Sequence, residues 1–117
     1  MAELESVQLA RLWIECWNEN KPLELPLATD FVHTSPFGIL KGREHYLDTV
    51  IPLAAKNVNE LKIVHVMGEP GQAVVWFEMV NDNEVTRTVD WLKTADGLIQ
   101  SVDSFYDASN IPHFEQY

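Results

Sequence analysis

Two side chains in this sequence suit proton transfer. His33 titrates near neutrality when unperturbed, and it lies in DFVHTS, where Phe31, His33 and Ser35 alternate with Val32 and Thr34. A strand there projects His33 and Ser35 from the same side, two residues apart, toward one space. The second is Asp90, in VDWLK. A carboxyl enclosed by apolar groups loses solvation, and its pKa rises until a protonated, hydrogen-bonding form exists near neutral pH. As an acid/base pair, His33 and Asp90 move a proton on a carbonyl-activated carbon, with help worth roughly two to four orders of magnitude in rate. The plainer alternative is that both only satisfy hydrogen bonds with each other or with nearby hydroxyls. Ser35, Thr88, Ser104, Tyr46 and Tyr106 are able to orient a ligand oxygen, and strand serines and tyrosines are also structural.

Other chemistries have less support. His33, His45, His65 and His113 are widely spaced, with no H-x-x-x-H pattern and no carboxylate–histidine cluster, so no metal is expected. The only cysteine, Cys16, lacks an intrachain partner and lies in an amphipathic pattern, which reads as a buried structural thiol. The glycines of GEPG and FGILKG mark turns. There is neither a P-loop nor a GxGxxG, and no cofactor is expected.

Eighteen acidic against eight basic side chains give a formal charge of −10, and the basic ones are scattered. Nucleic acid and anionic membranes should be repelled. No stretch approaches the roughly 20 apolar residues of a membrane span. The acidic start, MAELESVQ, lacks the basic and apolar regions of a secretory signal, so a soluble, cytoplasmic protein is expected. At 117 residues the chain suits one domain, 1–117.

The elements that must position these groups follow from periodicity. Residues 3–20 read as a helix, with Val7, Ala10, Ile14 and Trp17 at helical spacing and Leu9, Trp13 and Cys16 widening the face. Pro22 and Pro26 limit the next stretch to a short irregular helical segment. A strand follows from Asp30 to Pro36, then a very short one around Ile39 and Leu40. A helix runs from about Arg43 to Lys56, with Pro52 expected to kink or interrupt it. Strands 61–67, 73–80, 85–93 and 98–106 are separated by GEPG, NDN and TADG, each suited to an antiparallel hairpin. In AVVWFEMV both alternating sets are apolar. The helices can shield only one face of the sheet, and a second copy of the chain is the simplest cover for the other. A homodimer is therefore expected.

This order, with FVHTSPFGILKGREHY early and DWLKTADGLIQSVDSFYD late, resembles the nuclear-transport-factor-2-like (cystatin-like α+β cone) superfamily, and more narrowly is similar to its SnoaL-like branch. The resemblance spans nearly the whole chain. It implies an α+β fold: a strongly curved mixed, mostly antiparallel sheet, with helices on its concave face forming a cone-shaped cavity. In that register the wall comprises Phe31, His33, Ser35, Val75, Phe77, Thr88, Asp90, Leu92, Val102, Ser104 and Tyr106. Trp13 joins from the first helix and Tyr46 at the mouth, while Trp76, Glu78 and Asp103 face a partner subunit. Asp90 matches the oxyanion-hole aspartic acid of ketosteroid isomerases, and Trp13 falls at or near their tyrosine donor. Their aspartate base falls on Ser35, and a serine cannot be that base. The Asp-Arg-Asp set of limonene-epoxide hydrolases is also missing, since AVVWFEM holds no arginine and its late aspartate falls on Ser104.

Two functions follow from this reading. One is a pocket for a small hydrophobic carbonyl or hydroxyl compound, with cofactor-free isomerase, cyclase or dehydratase chemistry by Asp90 and His33. The other is a non-catalytic binding or dimerisation module. A cavity of roughly 300 Å³ or more, with both residues converging on it, favours the first. One plugged by Trp13, Phe37 and Tyr106 favours the second.

Overall fold

The N-terminal apolar stripe forms α1, Glu5–Asn18, and its face buries Leu9, Ala10, Trp13, Ile14 and Cys16. The helix is shorter than the 3–20 periodicity suggests because Leu4 is already extended and Asn20 turns left-handed at φ 58. The computed structural model describes residues 3–82 and 84–110; His113 lies outside them. After α1 a single 3-10 turn, Pro22–Glu24, leads into β1, Leu27–Ser35. This strand begins three residues before the expected Asp30, since Leu27 is buried and pairs with Ile99. The remaining elements are β2, Gly38–Lys41, α2, Arg43–Asn57, β3, Glu60–Glu69, β4, Gln72–Asn81, β5, Glu84–Ala95, and β6, Leu98–Phe105, followed by a 3-10 turn at Ala108–Asn110. Pro52 is exposed and α2 runs through it without a break, so of the expected kink or interruption the interruption does not occur.

The six strands form one mixed sheet in the order β2-β1-β6-β5-β4-β3. The β1–β6 pair is parallel and the other pairs are antiparallel. Turn chemistry sets the hairpin registers. Asp96 and Gly97, at φ 56 and 75, join Ala95 to Leu98 in the doubly positive conformation that suits a two-residue hairpin. Register shifts interrupt the ladders between Leu27 and Val32, Ile63 and His65, and Lys93 and Thr94. Each adds local bend and twist.

Both helices lie on one face of the sheet, α1 against β3, β4 and β5, and α2 against β1 and β2. Between them and the sheet lies a core that includes Phe31, Leu92, Val75, Ile99 and Val102. α1 sits tightly on β3 at Gly68, where an added Cβ would come within 3.0 Å of a Val7 methyl. The Ser6 hydroxyl donates to the Glu69 carbonyl nearby at 2.7 Å. At the other end of α1, Asn18 acts as a short strand partner for Leu61. Its Nδ2 donates to the Leu61 carbonyl at 2.6 Å, and its Oδ1 accepts from the Leu61 amide at 2.7 Å. Asn18→Ala is expected to cost about 2 kcal/mol in urea denaturation and to speed exchange of the Leu61 amide, because both bonds disappear at once.

The opposite face of the sheet is uncovered by the helices. Trp76 (44% exposed), Trp91 (42%) and Phe105 (58%) stand on it. The row Trp76–Val89–Phe105 is apolar across β4, β5 and β6, and beside it Val74 and Trp91 continue the apolar surface over β4 and β5 up to Asp103 on β6. Among the described residues no helix is long and apolar enough to cross a membrane.

Candidate functional site

Strand order brings the chemistry together. β6 lies between β1 and β5, so inward side chains from three adjacent strands meet: His33, Ser104 and Asp90. Asp90 is opposite Ser104 across the β5–β6 ladder, and His33 is opposite Val102, two residues from Ser104. All three are buried, Asp90 to 3% exposure and His33 to 7%. His33 Nε2 lies 2.9 Å from Ser104 Oγ. From α1, Trp13 donates its indole N–H to Asp90 Oδ2 at 2.8 Å. Of the two arrangements expected for His33, a bond to Asp90 or to a neighbouring hydroxyl, the structure has the second, with Ser104 as the partner.

The Trp13 ring also organises the surrounding aromatics. It stacks on Tyr46 at 6.0 Å and meets Phe31, His33 and Trp17 within 6.3 Å. Tyr46 approaches His33 to 5.1 Å. Such surroundings disfavour charge. Burial pushes the Asp90 carboxyl up to about 6, although the Ser104 hydroxyl and the Trp13 indole both pull it down by hydrogen bonding. Burial alone pulls His33 down to about 4. At pH 7 His33 is therefore neutral and Asp90 mostly ionised, which leaves no His33 cation to neutralise the carboxylate.

Two polar atoms here lack a hydrogen-bond partner of acceptable geometry: Asp90 Oδ1 and His33 Nδ1. When Nε2–H donates to Ser104, the serine hydroxyl proton is free to turn toward the neighbouring Asp90 carboxyl. When Ser104 donates to Nε2 instead, Nδ1 carries the proton. The trio can thus exist in two proton arrangements with little movement of heavy atoms.

A cavity of about 330 Å³ opens beside these groups. Of the residues expected in its wall, Trp13, His33, Tyr46, Phe77, Thr88, Asp90, Ser104 and Tyr106 are there. Phe31, Leu92, Val102 and Val75 share the inward face but lie in the packed core. Ser35 sits at the end of β1, where its Oγ accepts the Phe37 amide at 3.2 Å. Trp13 and Tyr106 form wall rather than plug, and Phe37 packs against Tyr106 at 6.1 Å.

Several wall residues escaped the sequence reading: Trp17, Val50, Ile51, Ala54, Leu61 and Met79. Their apolar periodicity was visible, but it reads equally as core. The rim at Asn18, Asn20, Asn59 and Glu60 is polar and exposed. No cluster of three histidine, cysteine or carboxylate side chains able to hold a metal occurs among the described residues.

The same architecture occurs in solved structures. A nuclear-transport-factor-2-like protein of unknown function from Cytophaga hutchinsonii superposes with a TM-score of 0.78 at 14% identity, over 92% of this chain and 95% of its own. The fold is nuclear-transport-factor-2-like. A Jannaschia protein proposed to be a SnoaL-like polyketide cyclase shares it, with TM-score 0.73 and 14% identity over 90% of this chain and 87% of that one. A Catenulispora acidiphila protein with a ketosteroid isomerase-like fold, solved in complex with trimethylamine, matches with TM-score 0.75 and 16% identity over 89% and 88%. The sequence matches no protein-family model and no curated protein.

Proposed function

We propose that this nuclear-transport-factor-2-like chain binds a small, largely apolar molecule in the cavity. There Asp90 is the acid/base group of a cofactor-free isomerase-, cyclase- or dehydratase-type reaction on a carbonyl or hydroxyl compound. In this reading the sheet curves around the helices and the cavity is conical. One observation carries the proposal: a buried carboxyl, held at 2.8 Å by an indole and raised to about 6, lies in the wall of a cavity of about 330 Å³. A pKa near the working pH suits a group that must both give and take a proton. Ser104 and His33 form its relay, the histidine remaining neutral through the working range. The Catenulispora protein of similar fold was solved in complex with the small molecule trimethylamine, which supports small-molecule binding as a use of this fold.

The test is a screen of cyclic ketones, enones and hydroxy-ketones for proton exchange or isomerisation by NMR. Turnover with Asp90 as base should rise as pH passes through about 6 and then level off, since the ionised form is the active one. Asp90→Asn should reduce it by roughly 100-fold or more. Unchanged turnover in the variant removes Asp90 from the mechanism.

A second copy of the chain is proposed as the cover for the open sheet face. The exposed Trp76, Trp91 and Phe105 form an apolar surface of the kind that marks an interface. The charged cross-strand neighbours Glu78 and Arg87 flank it, so two copies related by a twofold axis can place opposite charges together. Sedimentation at micromolar protein should give a dimer that Trp76→Glu turns into a monomer. A wild-type monomer contradicts the proposal.

A further inference from the structure

The charge on the wall constrains the ligand more sharply than its shape does. Among the described residues, two acidic side chains, Asp90 and Glu60, line the cavity, and no lysine or arginine does. Asp90 is the deep one, and its Oδ1 is unpartnered while Oδ2 is held by Trp13. A buried carboxylate without a counter-ion is costly, and a single indole and a shared serine proton compensate it only in part. The same wall holds five aromatic side chains, Trp13, Trp17, Tyr46, Phe77 and Tyr106. Aromatic rings attract cations through their negative faces. The net charge of −10 extends the same preference to long range.

We infer that the cavity takes a small organic cation, an alkyl- or arylalkyl-ammonium whose N–H donates to the Asp90 carboxylate while its hydrocarbon lies among Trp13, Trp17, Tyr46 and Phe77. The ligand supplies the counter-charge that the chain itself omits. Anionic ligands of the same shape are rejected, because their charge faces Asp90 and Glu60 with no basic side chain to meet it. A cation so seated holds Asp90 ionised and partners its buried, unpartnered Oδ1, so it is a bound ligand or an inhibitor of proton abstraction there. The inference rests on the cavity being the ligand site, and it holds whether or not the acid/base chemistry occurs.

The test compares three probes of nearly equal shape, benzylamine, benzyl alcohol and benzoate, by calorimetry at pH 7.5. The Trp13 indole N–H resonance reports whether binding occurs in this cavity. Benzylamine should bind tighter than the alcohol by roughly 10- to 100-fold, the range expected of a hydrogen bond to a charged group, and benzoate should be weakest. Asp90→Asn, which keeps the side-chain shape, should bring amine and alcohol to similar affinity. If the alcohol binds as tightly as the amine with the indole resonance shifted, the cationic preference is wrong and the cavity reading stands. If none of the three shifts that resonance at millimolar concentration, both are wrong.

Discussion

Replacing Asp90 by asparagine is expected to stabilise the protein by about 3 kcal/mol at pH 8 and by only about 0.5 kcal/mol at pH 4. A buried carboxyl raised from its ordinary 3.8 to about 6 makes the folded state reluctant to ionise. Each pH unit of that difference corresponds to about 1.4 kcal/mol. The raised folded-state pKa means that the favourable contribution is complete below the unfolded value and lost as pH rises through about 6. Asparagine has no proton to lose, so the variant keeps its stability between the unfolded value and about pH 6 while the wild type declines, and the gap is constant above that. His33 acts in the opposite sense, since its stabilising effect is present above its ordinary 6.5 and lost as pH falls through about 4. That term is common to both proteins and cancels in the difference. Urea denaturation from pH 4 to 8 measures the gap directly. A gap that stays flat with pH means that Asp90 is not desolvated in the folded protein.

Trp13→Phe is expected to cost about 3 kcal/mol at pH 8 and visibly less at pH 5. The indole N–H is the donor to Asp90 Oδ2 at 2.8 Å, and hydrogen bonds to a charged group are worth about 1.5–3 kcal/mol. The smaller ring adds a packing loss within the cluster of Tyr46, Phe31 and His33. The pH dependence follows because the indole favours the ionised carboxyl. Without it the Asp90 pKa moves higher still, so the variant falls further behind as the wild type ionises. The two substitutions touch one bond and should not be additive. In an Asp90→Asn background, Trp13→Phe should lose most of its pH dependence and keep its packing cost. Chemical denaturation of the double-mutant cycle checks both statements.

Alternation and helical spacing revealed facing but not depth. His33 and Asp90 are read as inward from their neighbours, and both are buried. Phe31 and His33 belong to the same alternating set, yet one is core and the other cavity wall, because position along the strand decides which side chains the helices cover. Ser35 fits the same alternation, but the hairpin at Pro36 carries it to the end of the strand, where it caps a backbone amide. Ser104 was legible as an inward hydroxyl. Its place between His33 and Asp90 was not, since that depends on a parallel pairing of β1 with β6, whose residues are separated by some 70 positions. Strand periodicity says nothing about lateral neighbours. The apolar face of α2 was read correctly. Its residues Val50, Ile51 and Ala54 also line the cavity, a placement invisible in spacing alone. The two-sided apolar pattern of β4 was legible as a second face that the helices cannot shield, and Trp76 stands exposed on it.

The state of the Asp90 carboxyl decides the account, and a carbon-13 NMR titration of that single side-chain carboxyl in the ligand-free protein reads it. A midpoint near 6, well above the unperturbed aspartate value of about 4, is the expected result. A midpoint at or below 4 would show a solvated carboxylate, and the proposed site chemistry and the expected gain from asparagine would both fail.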